Sequence, residues 1–183
     1  VAATLAFSTI ANNDKVGVIF FSDKTEKFIP AKKGKTHVLH IIRELLNFEP
    51  TSTGTDVAQA LQYFTNAQKR HCTAFLISDF IGAGAMYKPL LIASNRHEVN
   101  AIQIYDRREA ELPNIGLVKF HDAETGNDLW VDTAIASVRN QYGQAWRDNQ
   151  NDIEQLFTRT GVNHVSVRTD QDYVKALMHL FKC

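Results

Sequence analysis

Short apolar runs alternate with amphipathic segments along the chain, and this alternation constrains the fold more than any other feature. Two runs, Val16–Phe21 and Thr73–Ser78, are almost continuously apolar, which is typical of interior strands that are buried on both faces. Further strands are predicted over residues 99–105 and 162–167. Buried strands in alternation with amphipathic helices predict a three-layer α/β fold with a doubly wound, mixed sheet.

The predicted helices share apolar positions that are spaced three or four residues apart. They are expected over residues 1–11, 38–48, 57–70, 86–96 and 134–160, and from residue 170 onward. Gly161 is suited to end the longest helix, and Asp170 is suited to cap the last one. Residues 107–113 are predicted to form a polar loop.

Two antiparallel hairpins complete the predicted mixed sheet. The first joins Val16–Phe21 to a strand over residues 25–29 at the edge of the sheet. Pro30 is expected to close that strand, because proline has no N–H group to donate. The second is a small hairpin around residues 122–128, inserted within a segment of about 107–133.

Length and charge exclude several classes of protein. The 183 residues, 44% of them hydrophobic, can bury one sizeable core, so a single domain over residues 1–183 is expected. The 20 Lys and Arg residues balance the 20 Asp and Glu residues, so there is no overall electrostatic footprint for nucleic acid. No apolar run approaches the roughly 20 residues that span a bilayer, so no membrane segment is predicted in this chain.

The two cysteines differ too much in their surroundings to form a disulfide framework. Cys72 opens an apolar strand, whereas Cys183 is the last residue. This usage fits a reducing compartment, so a cytoplasmic location is expected. We interpret Cys72 as a small buried hydrophobe rather than as a nucleophile.

Ligands of doubly wound sheets bind beyond the carboxyl ends of the strands, so the residues that follow the predicted strands are the first candidates for a site. Asp79 directly follows an apolar strand, which would hold its carboxylate rigidly enough to bind a hard cation such as Mg²⁺. An ordinary strand-terminating aspartate that accepts backbone N–H groups is an equally good interpretation. Thr55 is also open to two interpretations, since a threonine directly before a helix is commonly an N-cap.

Other motifs that would indicate an enzyme are incomplete. Gly82 and Gly84 lack the third glycine of a dinucleotide-binding loop, because Tyr87 stands in its place, and they are interpreted as turn residues. The sequence contains no Gly-x-Ser-x-Gly elbow. Its histidines, among them His37 and His40, lack zinc-ligand spacing. No nucleophile is therefore paired with a base.

Several short motifs occur together and in order along the chain. They are KVGVIFFSD (15–23), FIP (28–30), HVL (37–39), FEP (48–50), GTD (54–56), LISDF (76–80), YDRRE (105–109), ELP (111–113), the hairpin 122–128, VDT (131–133) and TDQDYV (169–174). In this respect the chain resembles the bacterial family called domain of unknown function 58, and the resemblance covers essentially its whole length. That family is similar to von Willebrand factor A domains and is commonly encoded beside MoxR-type AAA+ ATPases.

The resemblance implies a non-enzymatic, metal-dependent module for protein interaction or scaffolding, with a MoxR-type ATPase as the partner. Von Willebrand A domains bind Mg²⁺ through an Asp-x-Ser-x-Ser motif after the first strand, a threonine on a second loop and an aspartate on a third. Thr55 matches the second element and Asp79 matches the third. The ion keeps an open coordination position, which a carboxylate of the partner can fill.

The Asp-x-Ser-x-Ser motif itself does not occur in this sequence, which begins with Val1 inside a helical pattern. We therefore expect the chain to lack the N-terminal part of the family's domain, and whether membrane helices precede residue 1 is left open. The first strand is central in the family, so Val16–Phe21 and Thr73–Ser78 should each lack a strand neighbour. The chain alone is expected to bind Mg²⁺ weakly or not at all.

A metal-dependent hydrolase is the alternative function, with Asp56, Asp79 and Asp106 around a cation. It is disfavoured because the motifs place no general base and no phosphate-anchoring Arg or Lys beside these carboxylates. An enzyme is therefore not expected.

Overall fold

The computed structural model describes residues 1–81, 83–121 and 126–180. Two compact units, Val1–Lys69 and Arg70–Cys183, divide the chain. Each unit combines helices with β-strands, and the sheets are parallel in one case and antiparallel in two. The predicted mixed α/β class is therefore confirmed.

The N-terminal unit is built on an antiparallel hairpin with three helices. Its elements are α1 (Ala2–Ala11), β1 (Val16–Phe21), β2 (Thr25–Lys32), α2 (Lys35–Asn47) and α3 (Val57–Ala67). Phe20, Ile29 and Ile41 form the buried core that joins the hairpin to α2. Phe48, just beyond α2, stacks on Phe20 with 4.7 Å between ring centroids. The apolar face of α2, through Ile41, is therefore buried against the hairpin.

The strand β2 continues through Pro30 to Lys32, so the prediction that Pro30 closes the strand is wrong. Val16 pairs with Lys32 and Val18 pairs with Ile29, so β2 has one residue more than β1 between these pairs. This is a β-bulge, and a bulge tolerates proline because the ladder of hydrogen bonds is interrupted there.

The C-terminal unit contains a three-stranded parallel sheet and a separate hairpin. Its elements are β3 (Thr73–Ser78), a 3-10 turn (Ala83–Met86), α4 (Tyr87–Arg96), β4 (Glu98–Tyr105), α5 (Arg107–Ala110), β5 (Leu117–His121), β6 (Asp128–Asp132), α6 (Ala136–Thr160), β7 (Asn163–Arg168) and α7 (Tyr173–Leu180). The parallel sheet has the order β3-β4-β7, and β5 pairs with β6 as the predicted inserted hairpin. The hairpin residues 122–125 and the predicted turn residue Gly82 lie outside the described residues.

The strand that is buried on both faces is β4, where residues 99–103 are all buried. In β3 only Leu76 is buried, and in β1 only Phe20, so the prediction that these two strands are doubly buried is wrong. The reason is position, because β4 is paired on both sides, whereas within the described residues β3 pairs with β4 alone and β1 with β2 alone.

Helix ends show which polar residues act as caps. Residues 107–113 were predicted to be a loop, but α5 forms there because Asp106 and Glu109 make a capping box. The N-terminal cap of α7 is Asp172, which accepts from the N–H of Val174 at 2.9 Å. Asp170 was predicted in that role, but it binds the guanidinium of Arg168 instead.

The long helix α6 was predicted closely, and it ends at Gly161 in the left-handed conformation with φ of +65°. Its predicted apolar stripe packs on the sheet through Trp146, whose ring lies 5.1 Å from that of Tyr105. Within the described residues, none of the helices combines the length and the apolarity that a membrane span requires.

Candidate functional site

Thr55 lies in the N-terminal unit, on the loop between α2 and α3, and its side chain is exposed. Asp56 follows it and is the N-cap of α3, because its Oδ1 accepts from the N–H of Gln59 at 2.9 Å. The main-chain N–H of Asp56 donates to the carbonyl of Ser22 at 2.8 Å. The capping interpretation of Thr55 is therefore wrong, since the cap is one residue further along.

Glu26 ties the Thr55 loop to the hairpin of the same unit. Its Oε1 accepts from the main-chain N–H of Thr51 at 3.1 Å and from the Ser22 hydroxyl at 2.8 Å. The Thr51 hydroxyl donates to the same carboxylate at 2.7 Å. The hydroxyls of Thr51 and Ser22 lower the pKa of Glu26 below its ordinary value, because they stabilise the ionised form. The loop is thus anchored at its beginning, at Thr51, and at its end, at Asp56.

Asp79 lies in the C-terminal unit, directly after β3 and exposed at the carboxyl end of that strand. Its Oδ1 accepts from the main-chain N–H of Ile81 at 3.2 Å. Phe80, between them, has φ of +58°, a left-handed conformation that is rare for a bulky side chain. The N–H of Phe80 is satisfied by the Ser78 hydroxyl at 3.1 Å. This geometry is compatible with both interpretations of Asp79, since the hydrogen bond engages only one carboxylate oxygen.

A buried polar side chain that was not predicted from the sequence lies beneath this turn. Gln103, on β4 and 2% exposed, donates from Nε2 to the main-chain carbonyl of Asp79 at 3.1 Å. Its Oε1 accepts from the hydroxyl of Ser166 on β7 at 2.9 Å. A glutamine among the apolar residues Ala101, Ile102 and Ile104 of the predicted strand was the available signal, because a buried amide requires hydrogen-bond partners.

Asp106 follows β4 and has both carboxylate oxygens engaged. Oδ1 accepts from the N–H of Arg108 at 2.8 Å, and Oδ2 accepts from the hydroxyl of Thr169 at 2.9 Å. These two hydrogen bonds, the one from Arg108 first, lower the pKa of Asp106. The side chain therefore joins the start of α5 to the end of β7.

The candidate site residues are distributed over both units. Thr55 and Asp56 belong to the N-terminal unit, and Asp79 and Asp106 belong to the C-terminal unit. Throughout residues 1–81, 83–121 and 126–180, no three His, Cys, Asp or Glu side chains form a group that could hold a metal ion. Thr55 and Asp79 therefore belong to no such group within the part of the chain that the structure describes.

Cys72 is half-buried at the start of β3, with its Sγ 3.7 Å from Nδ1 of His97. Burial raises the pKa of the Cys72 thiol, and it lowers the pKa of His97, which is 3% exposed. Both shifts favour the neutral pair, so the thiol is not activated as a nucleophile. Cys183 lies outside the described residues.

Residues 1–152 match the family described as "Protein of unknown function DUF58". The chain belongs to this family. The DUF58 match includes both Thr55 and Asp79 and ends within α6.

Relatives of this DUF58 chain occur in mycobacteria. An uncharacterized protein of Mycobacterium tuberculosis is 28% identical over 177 residues, which are 94% of this chain and 55% of that protein. An uncharacterized protein of Mycobacterium avium is 30% identical over 158 residues, which are 84% of this chain and 92% of that protein. The chain therefore spans only about half the length of the M. tuberculosis relative.

Two solved structures share the fold of this DUF58 chain. One is the conserved hypothetical protein BatB from Bacteroides thetaiotaomicron, with a TM-score of 0.56 and 16% identity, covering 100% of this chain and 88% of that one. The other is an aerotolerance-related membrane protein from Bacteroides fragilis, with a TM-score of 0.53 and 17% identity, covering 100% of this chain and 87% of that one. At these identities the likeness concerns the fold alone.

Proposed function

We propose that the chain is part of a non-enzymatic binding module that captures a protein partner through a divalent cation. The observation that carries the proposal is the turn formed by Ser78, Asp79, Phe80 and Ile81, which we call the Asp79 turn. It presents an exposed carboxylate at the carboxyl end of a parallel strand, the edge at which sheets of this class bind ligands. The backbone of the turn is held by the buried Phe80 and by Gln103.

We propose further that the domain has the von Willebrand A-like fold. Support comes from the strands at the sheet edges, because β1 and β3 each have a single strand partner within the described residues. These are the two strands that the family resemblance places beside a central strand. An apolar strand at the edge of a sheet, as β3 is within the described residues, can pair with a further strand.

Mg²⁺ fits the donors that the chain offers. Asp79 provides an exposed carboxylate, and hard cations prefer such oxygen ligands. Thr55 carries an exposed hydroxyl in the N-terminal unit. When bound, the ion would supply an open coordination position for a carboxylate of the partner. Asp79 would bind the ion through the oxygen that the Ile81 N–H does not engage.

The hydrolase alternative receives less support from the side chains it requires. Asp56 caps α3, and Asp106 caps α5 while it also accepts from Thr169. Both carboxylate oxygens of Asp106 accept hydrogen bonds, so a cation would have to displace one of them to bind there. For this reason we propose binding rather than catalysis.

A MoxR-type AAA+ ATPase in the cytoplasm is the proposed partner. The proposal rests on the family resemblance and on cysteine usage, since Cys72 is a free thiol. The family's own description assigns no function, and the mycobacterial relatives are named as uncharacterized. A direct capture experiment is therefore required.

Calorimetric titration with MgCl₂ tests the metal step. We expect weak or no binding by the 183-residue chain and measurable binding by a product of the same gene that is extended upstream. Asp79→Ala in the extended product should abolish that binding, whereas Asp152→Ala, which removes an exposed carboxylate from α6, should not. Equal Mg²⁺ affinities for the two lengths would contradict the proposal.

Capture of a purified MoxR-type ATPase, with Mg²⁺ or with EDTA, tests the interaction. Capture that requires Mg²⁺ and is lost in Asp79→Ala supports the binding module. The same variants are assayed with generic phosphoesters in Mg²⁺ or Mn²⁺. Turnover that is lost in Asp79→Ala would instead favour the hydrolase.

A further inference from the structure

We infer that Gln103 is a positioning residue, which holds the Asp79 turn in the conformation that presents its carboxylate. The inference rests on the proposed function in so far as Asp79 is a metal ligand. Gln103 lies on the central strand β4, opposite Ser78 of β3 and Ser166 of β7 in the parallel register. It can therefore connect all three strands of the sheet at the level where β3 ends.

The orientation of the Gln103 amide follows from its partners. The main-chain carbonyl of Asp79 can only accept a hydrogen bond, so the amide NH₂ group must face it. The amide oxygen then faces the Ser166 hydroxyl, which donates to it at 2.9 Å. The Asp79 carbonyl thus determines the orientation of the amide, and Ser166 satisfies its other end.

The Asp79 turn needs such support because its backbone is strained. Phe80 has φ of +58°, and bulky residues leave this region unless the surroundings enforce it. Enforcement comes from two sides. The ring of Phe80 is 0% exposed, and the carbonyl immediately before it is held by Gln103.

Gln103 lies among the buried residues of β4, where Asn100 is a second buried amide side chain. Its neighbours Ala101 and Ile102 on β4 are 0% exposed. An amide in such surroundings costs free energy unless it is fully paired, so an apolar residue of similar size would serve a purely structural strand better. The pairing partners of Gln103 are the Asp79 carbonyl and Ser166, which links the amide to the candidate site.

Hydrogen exchange of the 183-residue chain tests the inference without any metal. In Gln103→Leu the main-chain N–H groups of Phe80 and Ile81 should exchange about tenfold faster than in the wild type, the change that one lost hydrogen bond produces. The control is Ser94→Ala, which removes a comparable bond, from Ser94 Oγ to the Thr160 carbonyl at 2.9 Å. It should leave the exchange of Phe80 and Ile81 unchanged.

Gln103→Glu provides a readout that a merely structural role would not give. The neutral carboxyl group has an O–H that can donate to the Asp79 carbonyl, whereas the ionised group cannot donate. Protection of Ile81 should therefore be close to wild type at pH 5 and as low as in Gln103→Leu at pH 8. The wild type measured at both pH values corrects for the pH dependence of hydrogen exchange itself. Should Gln103→Leu fail to fold, Ser166→Ala is used, with a smaller loss of protection expected.

The outcomes distinguish this inference from the proposed function. Wild-type protection of Phe80 and Ile81 in Gln103→Leu would overturn the positioning role. If exchange responds as expected but no Mg²⁺ is bound by the extended product, the proposed function fails and the positioning of the turn stands. If Mg²⁺ is bound, Gln103→Leu should weaken its affinity.

Discussion

The ring of Phe80 meets the ring of Phe157 edge-on, with 5.2 Å between centroids and 82° between the ring planes. Both rings are 0% exposed, although the backbone of Phe80 is left-handed. The contact joins the turn after β3 to the last part of α6. Burial of the aromatic pair therefore stabilises a turn conformation that the backbone alone disfavours.

Truncation of this pair should destabilise the protein strongly. We expect Phe80→Ala and Phe157→Ala each to lower the free energy of unfolding by about 3–5 kcal/mol, because each leaves a cavity in the core. The double variant should reveal a coupling of about 0.5–1.5 kcal/mol between the rings. Urea denaturation provides the measurement. Ile81→Ala, at a position that is 61% exposed, is the control and should change the free energy by less than about 0.5 kcal/mol.

Gly17 should be sensitive to the addition of a single methyl group. A Cβ atom at this position would lie 2.7 Å from the carbonyl oxygen of Ile29 and 2.8 Å from the main-chain nitrogen of Ala31. Both atoms belong to the backbone of the bulged strand, so they cannot move away cheaply. We expect Gly17→Ala to cost about 1–3 kcal/mol in thermal or urea denaturation.

The matched control for Gly17 is Gly54 in the same unit. A Cβ atom at Gly54 would meet only the Cβ of Asp23 at 3.5 Å, which is an ordinary contact. Gly54→Ala should therefore be tolerated. Equal destabilisation by the two substitutions would contradict the steric explanation.

The carboxylate of Glu26 should make stability depend on pH in the acidic range. Hydrogen bonds from Thr51 and Ser22 lower its pKa in the folded chain below the ordinary value of 4.5. The resulting stabilisation is present above pH 4.5 and is lost as the pH falls through the lower, folded-state pKa. The free energy of unfolding of the wild type should therefore exceed that of Glu26→Gln at neutral pH, and the difference should shrink on acidification.

Urea denaturation between pH 3 and pH 7 measures this difference. Glu49→Gln serves as the control, because Glu49 is exposed on the neighbouring loop. A difference between Glu26→Gln and the wild type that stays constant over this range would rule out linkage through Glu26.

Asp56 should be replaceable by another capping residue. Its Oδ1 accepts from the N–H of Gln59, so Asp56→Ala should lower the free energy of unfolding by about 0.5–2 kcal/mol. Asn caps helices as well as Asp does, so Asp56→Asn should retain most of the stability. Thermal denaturation distinguishes the variants. Equal losses in the two would argue that the charge of Asp56, rather than its cap, is what matters.

Local patterns predicted those parts of the fold that depend on neighbouring residues. The helix α6 and its terminal Gly161 follow from the spacing of apolar residues and from the left-handed preference of glycine. The family also follows from short motifs, and it is confirmed over residues 1–152. The cap of α7 was placed two residues too early, because Asp170 and Asp172 both have the chemistry of a cap. Only the pairing of Asp170 with Arg168 distinguishes them.

The candidate site was predictable only in part. Asp79 could be singled out because it ends an apolar strand, but its partners could not. Gln103 is 24 residues further along, and Ser166 another 63, so no local pattern joins them. Asp106 is committed to Thr169 by the alignment of β4 with β7, which likewise joins distant segments.

The sequence by itself determined the alternation of strands and helices, the family and the residue types available for a cation, because these depend on composition and spacing. Only the tertiary structure decided that β4 is the buried strand and that β2 passes through Pro30 by a bulge. It also decided that the buried side chain of Gln103 donates a hydrogen bond to the carbonyl of Asp79. The physical reason is that burial and hydrogen-bond partners depend on which strands pair, and strand pairing joins residues that are far apart in the chain.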